Sequence, residues 1–309
     1  MKNILITGGA GFIGSHLADR LIKDNNLTIL DNYSSGYRRN IKHLSGYNLI
    51  KGDIGSYKYL NKAIEDKDTI YHLSANPDVR KGITETELDL KQETINTFRV
   101  LELMRLNDIE EIVFSSSSTI YGNHGKTKLK EDTGPCLPTS LYGAGKLASE
   151  GLVSAYTELY GIKSWIFRFA NVVGSRSTHG VIFDFINKLK ENPNELEVLG
   201  DGNQTKPYIH ISDLIDGMLF GYENSKDKLN LFNISSEGTT KVSYIAKKVI
   251  ENFRPTAQIK YTGGKTGWKG DIPVYILDSD KINNLGWKPK YTSNESIDLA
   301  IKEIINDNI

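Results

Sequence analysis

A tyrosine and a lysine four positions apart are the residues of this sequence best suited to chemistry. Tyr142 and Lys146 stand at the start of a helix predicted over 143–160, where positions i and i+4 share a face. A phenol has a pKa near 10, so work as a base near pH 7 requires about 4 kcal/mol, which nearby positive charge can supply. The same spacing also occurs on solvated helix faces, so other residues must support the interpretation.

A run of four hydroxyl side chains provides that support. Residues 115–118 are all serine and follow an apolar strand predicted over 111–114. Parallel sheets bind ligands at the carboxyl ends of their strands. Ser117 can there relay or stabilise a proton moving between a substrate hydroxyl and a phenolate. The alternative is a polar turn, which serine also favours.

Three glycines form a second candidate site near the N-terminus. Gly8, Gly11 and Gly14 have the spacing G-x-x-G-x-x-G between an apolar strand at 4–6 and a helical stretch at 12–23. Absent side chains let the backbone turn tightly and let a pyrophosphate approach the amides at the helix N-terminus. The pattern predicts a dinucleotide site.

An acidic residue at the end of the second strand indicates which dinucleotide binds. Asp31 can accept hydrogen bonds from ribose hydroxyls and would repel a 2′-phosphate, which favours NAD over NADP. Arg38 and Arg39 lie close downstream and could reach a phosphate, although solvated loop charges are the commoner fate of such pairs. Asp53, after the third strand, could place an acceptor near the adenine amine.

The spacing of apolar runs predicts the architecture that holds these residues. Short apolar runs alternate with helix-length segments, which indicates βαβ units and a doubly wound parallel sheet of the Rossmann type. From about 174 the rhythm changes, with helices near 181–191 and 239–253, and we expect a smaller α/β C-terminal domain there. A long helix is expected over 85–106. The predicted strands are 4–6, 27–30, 49–50, 69–73, 111–114 and 163–168.

Composition excludes several classes of protein. Lys plus Arg and Asp plus Glu each total 38 in 309 residues, and zero net charge argues against nucleic acid as a partner. No run of about 18 apolar residues predicts a membrane span. Cys136 is the only cysteine, which excludes an internal disulfide and a multi-cysteine zinc site, and we expect no metal. A cytoplasmic location is expected, without a signal peptide.

Taken together, the motifs resemble a known family. The sequence is similar to the nucleotide-sugar epimerase group of the extended short-chain dehydrogenases/reductases, and within it to the UDP-glucose (UDP-galactose) 4-epimerases. The resemblance covers nearly the whole chain. The motifs that carry it are 7–14, 31–32, 35–36, 52–53, 115–122, Tyr142 with Lys146, and 168–171.

The resemblance implies roles for individual residues. Tyr142 would be the catalytic base and acid, Lys146 its ribose-bound partner and Ser117 the catalytic hydroxyl. Beside Tyr142 and Lys146, the expected NAD-binding residues are Gly8, Gly11, Phe12, Ile13, Gly14, Asp31, Asn32, Ser35, Gly36, Asp53, Ile54, Leu73, Ser74 and Ala75. The expected substrate-binding residues are Ser117, Ser118, Asn171, Val181, Ile182, Phe183, Lys206, Tyr208, Lys269, Asp271 and Tyr275.

The resemblance also implies a reaction and a division of the chain. We expect reversible inversion at C4 of UDP-glucose and UDP-galactose, through a 4-keto sugar and tightly bound NAD, in a homodimer. Residues 1–172, with a return near 207–235, would bind NAD, and 173–309 would bind the nucleotide sugar. Alternatives are another nucleotide sugar (UDP-N-acetylhexosamine, UDP-glucuronate or a dTDP-sugar), a net NAD-dependent dehydrogenase, and a non-catalytic NAD sensor.

Three features of the sequence bear on these alternatives and on the substrate contacts. Lys206 and Trp268 stand where the family often has arginine, and Lys269 is adjacent to the second, so the diphosphate contacts must differ in detail. Residues 117–119 contain no acid, which separates the chain from related 4,6-dehydratases. Tyr275 is a large residue where the family has a gate against N-acetylated sugars, which favours glucose and galactose.

Overall fold

The computed structural model describes residues 1–307, which form two compact units. The first comprises Met1–Ile120, Ser140–Arg168 and Met218–Phe232. The second comprises Tyr121–Thr139, Phe169–Gly217 and the chain from Asn233 onward. Each unit is therefore assembled from segments that are distant in sequence.

Ten α-helices lie along the described chain. They are α1 (Phe12–Leu21), α2 (Tyr57–Ile64), α3 (Thr86–Asp89), α4 (Asn96–Leu106), α5 (Leu141–Tyr160), α6 (Val181–Glu191), α7 (Ile211–Asn224), α8 (Val242–Phe253), α9 (Asp280–Asn284) and α10 (Ser293–Asp307).

Fifteen strands alternate with these helices within residues 1–307. They are β1 (Asn3–Thr7), β2 (Asn26–Asp31), β3 (Asn48–Lys51), β4 (Thr69–His72), β5 (Glu111–Ser117), β6 (Lys128–Leu129), β7 (Lys163–Phe169), β8 (Asn171–Val173), β9 (Glu195–Val198), β10 (Thr205–Lys206), β11 (Tyr208–His210), β12 (Leu229–Ile234), β13 (Thr240–Lys241), β14 (Gln258–Tyr261) and β15 (Ile276–Leu277).

Seven strands build the large sheet of the first unit, in the order β12-β7-β5-β4-β1-β2-β3. The central pairs are parallel, with Ile4 of β1 between Leu27 of β2 and Thr69 of β4. Strand order reverses between β1 and β4, which makes the sheet doubly wound. The expected fold class is therefore confirmed, and each of the six predicted strands is present.

Burial on both faces explains why those strands read as apolar runs. Leu5, Ile70 and Ile112 are fully buried, and Val100 and Leu101 of α4 pack into the same core. The seventh strand, β12, lies outside the six predicted runs. Asn230 and Asn233 interrupt its apolar residues, so neither a continuous apolar run nor a regular alternation marks it.

The long helix expected over 85–106 is present but irregular. The chain is helical from Thr86 to Leu106, and residues Leu90–Ile95 form a π-helical turn between α3 and α4. Such turns add a residue to the helix and are frequent at functional sites. Here the turn changes which side chains face α5.

The second unit is a mixed α/β assembly of two-stranded sheets and helices. The strand pairs are β8 with β11, β10 with β13, β9 with β14, and β6 with β15. Side chains of α6, α8 and α10 share one core, as Phe185, Ile245 and Ile297 show. Helix α6 matches the predicted 181–191, whereas α8 starts a few residues later than expected.

Two negative observations apply to residues 1–307. No helix there is long and apolar enough to cross a membrane. No group of three or more His, Cys, Asp or Glu side chains in that range is arranged to hold a metal ion.

Candidate active site

The turn between β1 and α1 is shaped to receive phosphate. A Cβ on Gly14 would lie 2.2 Å from the carbonyl oxygen of Gly8, so only glycine permits this close approach. Helix α1 has Gly11 as its N-cap, which has no side chain to compete for the first amides of the helix. Those amides and the positive end of the helix dipole suit an anion, so this cradle fits a pyrophosphate.

The acidic side chain expected to bind ribose closes the same turn. Asp31 is buried at the end of β2, and its carboxylate accepts hydrogen bonds from Ala10 N (2.9 Å) and Tyr33 N (2.7 Å). Burial raises the pKa of Asp31, and the two backbone donors oppose that change. A carboxylate accepts about four hydrogen bonds, so two positions remain for a ribose diol.

The neighbouring residues of the expected NAD site fall into two groups. Asp53 accepts from Asn32 Nδ2 (2.7 Å) and Gly55 N (2.7 Å), which ties the end of β2 to the end of β3. Ile54 instead packs into the apolar core, and Phe12 is also buried. Ile54 and Phe12 can therefore contact a cofactor through their backbone atoms but not through their side chains.

Thr7 holds the loop that follows β4. Its Oγ1 accepts from the amides of Leu73 and Ser74, both at 3.2 Å, and contacts His72 Nδ1 at 2.8 Å. Burial lowers the pKa of His72 to about 3, so the imidazole is neutral at physiological pH. The predicted cofactor loop 73–75 is thereby fixed against the end of β1.

The catalytic candidates meet where β5 ends and α5 begins. Ser140 caps α5 by accepting from Gly143 N (3.1 Å), and this start places Tyr142 on the first turn. Ser117 lies near the Tyr142 hydroxyl, and its interaction with that hydroxyl lowers the pKa of Tyr142. Ser117 Oγ also accepts from Thr119 N (3.2 Å) and Thr119 Oγ1 (3.0 Å), so its oxygen is held in place.

Lys146 lies one turn further along α5 and is only 1% exposed. Its Nζ donates to Ser115 O (2.9 Å) and pairs with Glu93 Oε2 (2.8 Å). The ammonium lies 5.7 Å from the centre of the Tyr142 ring. Because an ammonium has three donors, one N–H remains for a ligand.

The protein alone does not make Tyr142 a strong base. Burial raises its pKa, the carboxylates of Glu93 and Asp89 raise it further, and only the Ser117 hydrogen bond lowers it. The positive charge of an oxidised nicotinamide would act in the opposite direction. Tyr142 therefore depends on a bound cation for activation.

Sequence reasoning missed Glu93, Asp89 and Asn76, which complete this cluster. Asn76 Nδ2 donates to Asp89 Oδ1 (2.8 Å), and Asn76 N donates to Glu93 Oε1 (2.8 Å). This segment reverses the usual distribution on an amphipathic helix. The polar residues Asp89 and Glu93, four positions apart, are buried, whereas the apolar residues Leu90 and Phe98 are exposed. Thr94 Oγ1, next to Glu93, donates to Gly145 O of α5 at 3.4 Å.

The second unit brings together part of the expected substrate set. Asn171 Nδ2 donates to the hydroxyl of Tyr275 (3.1 Å), and Lys206 Nζ pairs with Asp271 Oδ1 (2.5 Å). Asp271 Oδ2 also accepts from Gly267 N at 2.9 Å. The charge of Lys206 is therefore balanced within the chain.

The remaining substrate candidates differ in exposure. Ile182 and Tyr208 are buried in the core of the second unit, so they offer little surface to a ligand. Val181 and Phe183 are half-buried at the edge of that core. Lys269 is exposed, and Ser118, in the first unit, is buried at the end of β5.

Comparisons with known proteins show the family to which the chain belongs. The model of the NAD dependent epimerase/dehydratase family matches residues 4–265. A protein of Methanocaldococcus jannaschii that is provisionally named UDP-glucose 4-epimerase is 33% identical over 313 residues, with 99% of each chain covered.

Solved structures show the same similarity. A UDP-galactose 4-epimerase is 34% identical, with a TM-score of 0.88 and 99% of each chain covered. The UDP-glucose 4-epimerase of Thermotoga maritima, solved with UDP-glucose, is 28% identical, with a TM-score of 0.89, and covers 99% of this chain and 100% of its own. This chain therefore belongs to the NAD-dependent epimerase/dehydratase family, and it is an enzyme with NAD as its cofactor.

Proposed function

We propose that this enzyme interconverts UDP-glucose and UDP-galactose by inverting C4 through a 4-keto sugar. The observation that carries the proposal is the position of the Lys146 ammonium, 5.7 Å from the centre of the Tyr142 ring and bonded to Ser115 O at the end of β5, in the unit that contains the glycine turn. A base, a hydroxyl relay and a cation at the carboxyl end of β5 suit the removal of a proton from a sugar hydroxyl.

The chemistry that bound NAD supplies is reversible hydride transfer at C4. Tyr142 takes the proton of the 4-hydroxyl, and Ser117 relays it. Lys146 directs its third N–H toward the cofactor ribose and keeps positive charge near the phenolate. Once the keto sugar presents its other face, Tyr142 returns the proton to the same oxygen. No net oxidation results, so the cofactor stays bound between turnovers.

The proposal divides the ligands between two regions. Residues 1–172, with a return near 207–235, hold NAD through the backbone of Gly8, Gly11, Phe12, Ile13 and Gly14 and through the acids and loops described above. Residues 173–309, together with Asn171, hold the nucleotide sugar. Asn171 and Lys206 contact its diphosphate, and Asp271 holds the Lys206 side chain in place.

Tyr275 supports the choice of sugar. Its hydroxyl is bonded to Asn171 and its ring is buried, so a bulky N-acetyl group would have to displace a fixed side chain. The main alternative is another UDP-sugar. A structurally similar protein from Methanobrevibacter ruminantium is a UDP-N-acetylglucosamine 4-epimerase, and one from Bacillus cereus is a UDP-glucuronic acid 4-epimerase.

We also propose a homodimer and a cytoplasmic location. Exposed apolar side chains support the dimer, since Phe98 and Leu106 of α4 and Leu159 and Tyr160 of α5 are at least 41% exposed. Such patches commonly mark interfaces. The single cysteine supports a reducing compartment.

The deciding experiment is incubation with UDP-galactose and, separately, UDP-N-acetylgalactosamine, without added NAD, followed by sugar analysis. We expect UDP-glucose from the first and little conversion of the second. Conversion of UDP-N-acetylgalactosamine alone would show that the enzyme acts on the N-acetylated sugar instead. Steady release of reduced cofactor would replace it with a net dehydrogenase.

A further inference from the structure

The buried carboxylate of Glu93 faces Lys146 but takes no part in the proton transfer proposed for Tyr142 and Ser117. We propose that Glu93 is a positioning residue: it holds the Lys146 ammonium beside Tyr142, and its negative charge sets the pH range over which Tyr142 works as a base. The inference deepens the proposed function and rests on it for the role of Tyr142.

The backbone around Glu93 is built to deliver its carboxylate to Lys146. Glu93 lies within the π-helical turn Leu90–Ile95, and both Glu93 and Lys146 are 1% exposed. Gly145 lets the two helices meet, because a Cβ at that position would lie 2.8 Å from Glu93 Cβ. Ser149 Oγ donates to Glu93 O (3.0 Å) and adds a second link between the segments.

The second carboxylate oxygen connects the pair to the cofactor side. Glu93 Oε1 accepts from Asn76 N (2.8 Å), directly after the loop 73–75 expected to line the NAD site. Glu93 therefore bridges that loop and the catalytic lysine. A displacement of the loop would therefore act on the position of Lys146 through the Glu93 side chain.

The charge of Glu93 has a defined direction of effect on Tyr142. The groups that face the phenol are Lys146 on its own helix, Ser117 at the end of β5, and Glu93 and Asp89 on the opposite segment. Glu93 and Asp89 raise the pKa of Tyr142 because negative charge disfavours a phenolate. Removing the Glu93 charge must therefore lower that pKa and extend activity toward lower pH.

A second buried ion pair on α5 provides a matched control. Glu150 pairs with Arg168 Nη2 (2.7 Å), and both side chains are less than 10% exposed. Glu150 is not among the groups that shift the pKa of Tyr142. Glu150→Gln thus removes a buried carboxylate from α5, the helix that carries Tyr142, without changing the charge near the Tyr142 phenol.

The test compares Glu93→Gln with the wild-type protein, both loaded with NAD. Glutamine keeps an oxygen for Lys146 or Asn76 but removes the charge. We expect the acidic limb of the kcat profile to move down by about one pH unit, the order of change that loss of one nearby unit charge produces at an effective dielectric constant of about 20. Glu93→Ala, which removes the contact as well, should lower kcat at least tenfold below Glu93→Gln. Glu150→Gln should leave the limb unmoved.

A titration without sugar separates this inference from the proposed function. Tyrosinate absorbance of the NAD-loaded protein, minus that of Tyr142→Phe, reports the phenol directly. A lower midpoint in Glu93→Gln supports the proposal even if no UDP-sugar is epimerised. An unmoved or higher midpoint overturns it. If Glu93→Gln does not fold, Asp89→Asn decides: a smaller downward shift supports the role of this carboxylate pair, and no shift overturns it.

Discussion

Lys146 and Lys206 are both expected to contact a ligand, and both are paired with an acid, but the two pairs differ in solvent access. Lys146 and Glu93 in the first unit are each 1% exposed, and both carry further hydrogen bonds from the backbone or to it. Lys206 and Asp271 in the second unit are 19% and 4% exposed. The sequence motifs led us to expect both lysines to hold a ligand, and both already have an acidic partner.

Because the two ion pairs differ in exposure, we expect their loss to have different effects. Deep burial strengthens electrostatic interaction, so loss of either member of the Lys146 pair leaves a costly charge and changes the neighbouring phenol. Water reaches Lys206 and screens its pair, so its effect should be confined to the affinity for an anionic ligand. Under the proposed function, the buried pair would serve the chemical step and the more exposed pair would serve binding.

The largest effect is expected at the phenol of the buried region. Tyr142→Phe should lower kcat about 10³-fold, because it removes the proton acceptor, while bound NAD is retained. The control is Tyr156→Phe on the same helix, whose hydroxyl donates to Glu102 (3.0 Å) away from the site. Near wild-type kcat in Tyr142→Phe would contradict the assignment of the base.

The next effect compares the two lysines directly. Lys146→Met should destabilise the protein by about 3 kcal/mol, since Glu93 is left buried without its partner. Lys206→Met should cost about 1 kcal/mol or less, because Lys206 is itself 19% exposed and Asp271 keeps its hydrogen bond from Gly267 N. Urea unfolding of both variants measures the difference. Equal decreases in the free energy of unfolding would show that solvent exposure does not distinguish the two ion pairs.

The smallest effect concerns Asp271. Asp271→Asn leaves the charge of Lys206 unbalanced, so the KM for a UDP-sugar should fall about threefold, with kcat unchanged. The gain should shrink as salt is added, because the interaction is partly exposed. Steady-state kinetics at two ionic strengths provide the measurement. A higher KM in this variant would show that Asp271, rather than Lys206, contacts the ligand.

Local patterns made the first unit largely predictable. The glycine spacing, the acid after β2 and the i, i+4 pair of Tyr142 and Lys146 depend on residues near one another in the chain. Apolar runs located six of the seven sheet strands because those strands are buried on both faces.

The unpredicted features depend on contacts between distant residues. Glu93 lies in a π-helical turn and pairs with Lys146 of α5, which is 53 positions further along the chain. The spacing of polar Asp89 and Glu93 does not identify that distant partner. Lys206 meets Asp271 across 65 residues, so its neutralised charge could not be read from its neighbours. The edge strand β12 joins the sheet from a segment without a continuous apolar run or a regular alternation.

The central claim is that hydrogen leaves C4 of the sugar and returns to it within one active site. The most direct measurement uses UDP-galactose carrying deuterium at C4, with the purified enzyme and no added NAD. The account predicts UDP-glucose that retains the deuterium at C4, with no accumulation of reduced cofactor. Loss of deuterium to solvent, or steady release of NADH with a stable keto product, would contradict it.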